Sequence, residues 1–298
     1  MATLTSDLKN KFKYGSVVIK FIFINIALFL FLRIAGIICT FSNADFNWLL
    51  QFIECPSDLG SLITKPWTIF TYMFAQVEIF HIIFNMLWLY WFGSIFLLVC
   101  TSRQMIALYI YGGLLGAIAY IAAYNLLPYF NGIQGQLIGS SASVIAIVVA
   151  TAMRCPDYKM NLLFIGPVSL KWIACITIII DLISITDSNA GGHIAHLGGA
   201  IAGFIFAMML SKGHDITKGF NNTIDTIVNQ WNRLKDNIQR QNLSSSKIKS
   251  SEQHQASNNS KSDSDTLDEI LDKIKKSGYT SLTAEEKKRL FDVSRRIK

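Results

Sequence analysis

The first 211 residues of this chain contain very little charge: ten of its 27 lysines and arginines and eight of its 20 acids, in a sequence of 298 residues. With 51% hydrophobic residues, only 16% charged residues and a mean hydropathy of +0.37 over the whole chain, and so little of the charge in its first two thirds, that stretch is too apolar for a soluble domain. It reads as an integral membrane protein. The remaining 17 basic and 12 acidic residues follow residue 211, so the tail carries +5 of the formal +7. The basic balance therefore belongs to a polar tail, and with no alternation of basic and aromatic residues it does not describe a nucleic-acid surface.

Other absences narrow the class further. Five cysteines, Cys39, Cys55, Cys100, Cys155 and Cys175, form no CxxC and no zinc spacing. Cys39 and Cys55 would share one exposed loop and could pair there. No HExxH occurs, and no A-x-A-like cleavage site follows the first apolar run, which is expected to remain as an anchor. No inverted repeat points to a transporter.

What is present is a series of apolar runs. A span needs about 20 apolar residues, and candidates fall at about 17–38, 79–100, 104–127, 137–154, 169–186 and 192–211, the fourth being the shortest and most polar. The segment 39–78 carries Phe46, Trp48, Trp67 and Tyr72, which suggests short helices at headgroup level. Lys9, Lys11, Lys13, Arg103, Arg154, Lys159, Lys212 and Lys218 all fall on one side, which by the positive-inside rule makes both termini cytoplasmic. Arg33 is expected to snorkel outward.

The expected organisation is a cytoplasmic segment over 1–14, a six-span domain over 15–211 and an amphipathic interfacial helix over 212–240, followed by a disordered linker over 241–264. A small helical hairpin over 265–298 closes the chain, its second helix opened by Thr283 and Glu286 at capping-box spacing. The hairpin suggests an interaction or regulatory element with a protein partner.

Intramembrane polar residues are costly and invite a functional hypothesis. Span two begins FHIIFN, span four IGSSAS and span six GGHIAHLGGAIAG. All three spans run from outside to inside, so the clusters share the outer half of the bilayer. His81 and Asn85, four apart, lie on one helical face, and so do His193 and His196, three apart. Taken singly, the histidines and asparagine could join helices by hydrogen bonds, and Ser140, Ser141 and Ser143 could be small packing residues. Together they supply a hydroxyl, a proton acceptor and oxyanion donors at one depth, which is what nucleophilic catalysis requires.

This arrangement closely resembles the rhomboid family of intramembrane serine proteases. The family's histidine and asparagine four apart match His81 and Asn85, its G-x-S-x motif matches Gly139 to Ala142, and its A-H-x-x-G-x-x-x-G motif matches Ala195, His196, Gly199 and Gly203. The resemblance covers about residues 15–211, and Gly112 and Gly116 look like the family's third span. It implies an all-α polytopic fold, a six-transmembrane-helix bundle with a cytoplasmic helical tail. It further implies Ser141 as nucleophile and His196 as general base, with no acidic third member, and oxyanion support from His81, Asn85 and the backbone N–H of Ser141. Asp187, on the outer loop, has no assigned role.

No metal or cofactor is implied. The implied substrates are transmembrane proteins within the lipid bilayer, entering laterally near spans two and five, and the implied location is a bacterial inner (cell) membrane. Three positions depart from the family pattern: Thr68 follows Trp67 where an arginine is usual, Gln76 replaces a histidine, and Ile145 replaces an aromatic that packs against the base. Two alternatives are a catalytically inactive rhomboid-like protein that binds transmembrane clients, and a zinc metalloprotease using His193, His196 and His81.

Overall fold

The computed structural model describes residues 15–162, 165–235 and 267–296. Six helices occupy the six expected spans. α1 covers Val17–Phe41. The segment after it forms short helices, α2 (Asn47–Leu50), α3 (Leu59–Thr64, capped by Asp58 Oδ2 accepting from Ser61 N at 2.7 Å) and α4 (Thr68–Thr71). There follow α5 (Ile79–Val99), α6 (Ser102–Leu126), α7 (Ser141–Arg154), α8 (Leu170–Ile183) and α9 (Ala190–Ser211).

α1, α5, α6 and α9 are long and apolar enough to cross a membrane. The chain is therefore an integral membrane protein with a polytopic helical fold. α7 and α8 have 14 residues each, about 21 Å at 1.5 Å per residue. α7 is short because residues 136–140 are not helical. Gln136 and Leu137 form a strand pair with Pro56 and Cys55, and Gly139 has φ +140°, which disfavours a side chain and keeps the helix from starting before Ser141.

The helix order places α7 in the middle. It is buried along nearly its whole length, from Ala142 to Ala152, and packs on α5, α6 and α9. Close approach to α9 depends on two glycines. A Cβ on Gly199 would run into the carbonyl of Ala142, and one on Gly203 into the carbonyl of Ala146. Gly112 and Gly116 do the same for α6, facing Ala146 and Ala142. Small residues therefore let three helix backbones converge where Ser141 begins.

The loop before α5 is braced without the arginine of the family pattern. Trp67 Nε1 donates to Phe52 O at 3.0 Å, Thr71 Oγ1 to Ile53 O at 2.9 Å and Thr68 Oγ1 to Lys65 O at 2.7 Å. Trp48 and Trp67 are exposed, as expected of an interfacial belt, but Tyr72 is fully buried and its hydroxyl donates to Gly113 O at 2.5 Å. All five cysteines are free, so Cys39 and Cys55 are not paired; Cys55 is buried within the strand pair.

The chain divides into two compact units, 1–223 and 224–298. Residues 218–235 are helical, whereas 212–217, expected to belong to the same interfacial helix, form turns; residues 236–240 and the linker lie outside the described residues. In the second unit, residues 267–277 are helical and Gly278, with φ +74°, ends them. The next helix, Ala284–Arg296, opens with the expected capping box: Thr283 N donates to Glu286 Oε2 at 2.7 Å, and Glu286 N to Thr283 Oγ1 at 3.3 Å.

Candidate active site

Ser141 is the first residue of α7, and His196 lies nearly two turns into α9. Their side chains meet, with His196 Nε2 2.7 Å from Ser141 Oγ. This contact spans 55 residues of sequence and exists because Gly199, one turn below His196, lets α9 lie against the backbone at Ala142. An imidazole nitrogen at that distance from a hydroxyl is placed to accept its proton.

Two openings meet at this pair. A cavity of about 320 Å³ lies between α5 and α8, lined by His81, Asn85, Trp88, Ser141, Ile180 and His196 among others, and it is mostly apolar. A second, of about 490 Å³, is lined by Gln76, Glu78, Gln136, Ser188, Asn189 and, again, Ser141 and His196. The first presents a path between two apolar helices, the second a polar mouth. Ser141 and His196 line both.

His81 and Asn85 project from α5 into the first cavity. His81 sits against Gly139, where a Cβ would come within 3.1 Å of its ring. Asn85 is held by a buried amide network. Its Nδ2 donates to Gln76 Oε1 at 2.8 Å, and Gln76 Nε2 donates to Ser140 Oγ at 3.1 Å and to Asn25 Oδ1 at 3.3 Å. Asn25 on α1 donates in turn to Tyr109 Oη at 3.3 Å, and Tyr109 donates to Met73 O at 2.7 Å. Gln76, a departure from the family pattern, is thus the hub joining α1, α5 and the start of α7. Its own burial is nearly complete.

The three serines differ in kind. Ser141 faces both cavities, Ser140 is buried in the amide network, and Ser143 Oγ is buried with no hydrogen-bond partner among the described residues. Ile145 packs with Val149, Ala200 and Ile178, filling space with aliphatic groups where the family pattern has an aromatic.

One residue at the site was not anticipated. Asp181, in the last turn of α8, is buried, and its Oδ1 lies 2.7 Å from His196 Nδ1 and 2.9 Å from His193 Nδ1. The signal was an acid inside the apolar run LKWIACITIIIDLI, a costly placement in a span. Ligand atoms of Asp181, His193 and His196 lie within 4.8 Å of one another, close enough for a metal ion. His81 is not in that group, so the trio expected for a zinc protease is not assembled. Asp187 ends the turn after α8 and carries none of these contacts.

A polytopic helical membrane protein in which a serine and a histidine from separate spans meet in an accessible cavity is the class that fold and site define. The comparisons make it specific: the Rhomboid domain model matches residues 64–213, and the chain belongs to the rhomboid family. Residues 253–296 match a family of unknown function (DUF6576).

The chain is 30% identical over 158 residues to RHOMBOID-like protein 12, mitochondrial, of Arabidopsis thaliana, covering 49% of this chain and 47% of that protein. It is 24% identical over 148 residues to presenilin-associated rhomboid-like protein A, mitochondrial, of Danio rerio, covering 48% and 36%. With presenilin-associated rhomboid-like protein, mitochondrial, of Bos taurus it shares 22% identity over 168 residues, covering 55% and 42%. The matches span less than half the length of these relatives. All three are named as mitochondrial, so the bacterial inner membrane expected from the sequence has no support among them.

Proposed function

We propose that this chain is an intramembrane serine endopeptidase acting on peptide bonds in or near the transmembrane segments of other proteins. The observation that carries the proposal is the 2.7 Å contact between His196 Nε2 and Ser141 Oγ in a cavity that also holds His81 and Asn85. Ser141 Oγ attacks the scissile carbonyl carbon while His196 Nε2 takes the hydroxyl proton. The carbonyl electron pair moves onto oxygen, where the Ser141 N–H, His81 and Asn85 donate hydrogen bonds. Collapse expels the amine, which leaves with the proton from His196. A water then repeats the sequence on the acyl-enzyme, restoring Ser141 and releasing the carboxylate.

The two cavities suit this chemistry. The apolar opening between α5 and α8 admits a transmembrane segment unwound near its cleavage site, and the polar mouth admits the water that hydrolysis consumes. In this reading the polar mouth opens to the outer face of the membrane, the side that the positive-inside rule leaves poor in lysine and arginine. Residues 15–211 form the protease domain in this reading, with 212–240 as an interfacial helix, 241–264 as a linker and the hairpin 265–298 as a docking element for another protein.

The experiment is labelling with a serine-directed fluorophosphonate in detergent or vesicles. Wild type is expected to label, and Ser141→Ala and His196→Ala to lose the label while remaining inserted. A client-binding protein without activity leaves all three unlabelled.

A further inference from the structure

The family resemblance implies a serine and a histidine acting alone, yet a buried carboxylate stands directly behind that histidine. An acid in an apolar helix is expensive to ionise unless donors surround it, so its presence calls for a reason. Asp181 Oδ1 lies 2.7 Å from His196 Nδ1 and 2.9 Å from His193 Nδ1, and its side chain is 7% exposed.

A carboxylate only accepts hydrogen bonds. Both Nδ1 atoms must therefore carry protons, which leaves the lone pair of His196 on Nε2, the atom 2.7 Å from Ser141 Oγ. The opposite tautomer would set a bare Nδ1 against the carboxylate and a proton between Nε2 and the hydroxyl. His196 would then have nothing with which to accept the serine proton.

Resting on the protease reading above, we propose that Asp181 is the positioning residue of the site. It fixes the tautomer of His196 and stabilises the imidazolium formed when Ser141 gives up its proton, with His193 holding the same carboxylate oxygen in place. The carboxylate keeps its charge throughout; the proton stays on the imidazole. Three spans thereby contribute in series: α7 the nucleophile, α9 the base, α8 the acid that orients it. The aliphatic packing of Ile145 fits the same picture, because orientation by a carboxylate makes an aromatic against the base dispensable.

The test combines kinetics with a spectrum of the unmodified protein. Asp181→Asn keeps the shape and removes the charge. It is expected to lower kcat for a transmembrane substrate by about 100-fold or more, with KM changed less than about twofold and fluorophosphonate labelling slowed in proportion. Asp181→Glu, which retains the carboxylate, recovers part of the loss. In ¹⁵N-histidine spectra of wild type, the His196 signals, identified by their loss in His196→Gln, are expected to show a protonated Nδ1 and a bare Nε2. Wild-type kcat in Asp181→Asn, or a proton on Nε2 in wild type, overturns the inference. If Asp181→Asn does not fold, the wild-type spectrum decides alone. Cleavage surviving in Ser141→Ala would instead defeat the protease reading, while the tautomer would still report on the Asp181 contact.

Discussion

At the scale of single residues, the site is a set of amides and imidazoles whose orientations depend on one another. Gln76 shows this best, since it accepts from Asn85 and donates to both Ser140 and Asn25. Gln76→Leu orphans several buried groups at about 1–3 kcal/mol each and frees the Asn85 amide to turn. The expected result is a fall in kcat of about 10- to 100-fold, below the ~10²–10³-fold loss from removing an oxyanion donor outright. Adding Asn85→Ala to Gln76→Leu should cost less than the two separate losses combined, because both act on one interaction. Full additivity of the two would show that Gln76 acts elsewhere. Ser143 gives the opposite case. Its buried hydroxyl lacks a partner among the described residues, so Ser143→Ala should leave cleavage unchanged and stability equal or slightly higher, read by thermal aggregation in detergent.

The motifs of the family resemblance singled out Ser141, His196, His81 and Asn85, because each sits in a local pattern, and the structure brings the four to one cavity. Asp181 and Gln76 were harder to read. Asp181 meets His196 across 15 residues and a turn, through a helix rotation that no local pattern specifies, and Gln76 meets Asn25 across 51. Gln76 looked like a departure only because its partners were out of view. The motif for Ser141 had a register, whereas the pairing of an acid in one span with two histidines in the next has none.

Among the elements, backbone proximity between α7 and α9 decides whether the site exists. Gly199→Val would push the helices apart at Ala142, and the Ser141–His196 contact with them. Fluorophosphonate labelling is expected to fall by about 100-fold or more, since small misplacements of reacting groups carry losses of that order. The overpacking itself costs about 1–3 kcal/mol. Normal labelling in that variant would mean that the helices repack without disturbing the pair.

The start of α7 illustrates what hydropathy misses. The span was expected to begin near 137, but Gln136 and Leu137 pair with Pro56 and Cys55, and the positive φ of Gly139 delays the helix to Ser141. An apolar run and a helix are different objects there, and the difference puts the serine at a helix opening.

In the second unit, one carboxylate, Glu286, gives a handle on acid sensitivity. The hydrogen bond from Lys273, and then that from the Thr283 backbone, holds the Glu286 carboxyl down at about 2, against an ordinary value of 4.5. A depressed carboxyl contributes stability that is full above about pH 4.5 and lost as pH falls through about 2. The ¹³C carboxyl signal of Glu286 in the whole chain should therefore titrate near 2; a midpoint at 4.5 would mean that the Lys273 pair and capping box do not form in solution.

For the molecule as a whole, six apolar helices, two openings and a serine–histidine pair support the proposal made above, that Ser141 cleaves membrane-embedded substrates. The direct measurement is mass spectrometry of cleavage products from membrane proteins of the source cell, incubated in vesicles with wild type or Ser141→Ala. Wild type is expected to yield new termini within or beside transmembrane segments, all absent with Ser141→Ala at equal insertion. The same termini appearing with Ser141→Ala, or none with either protein, would contradict it.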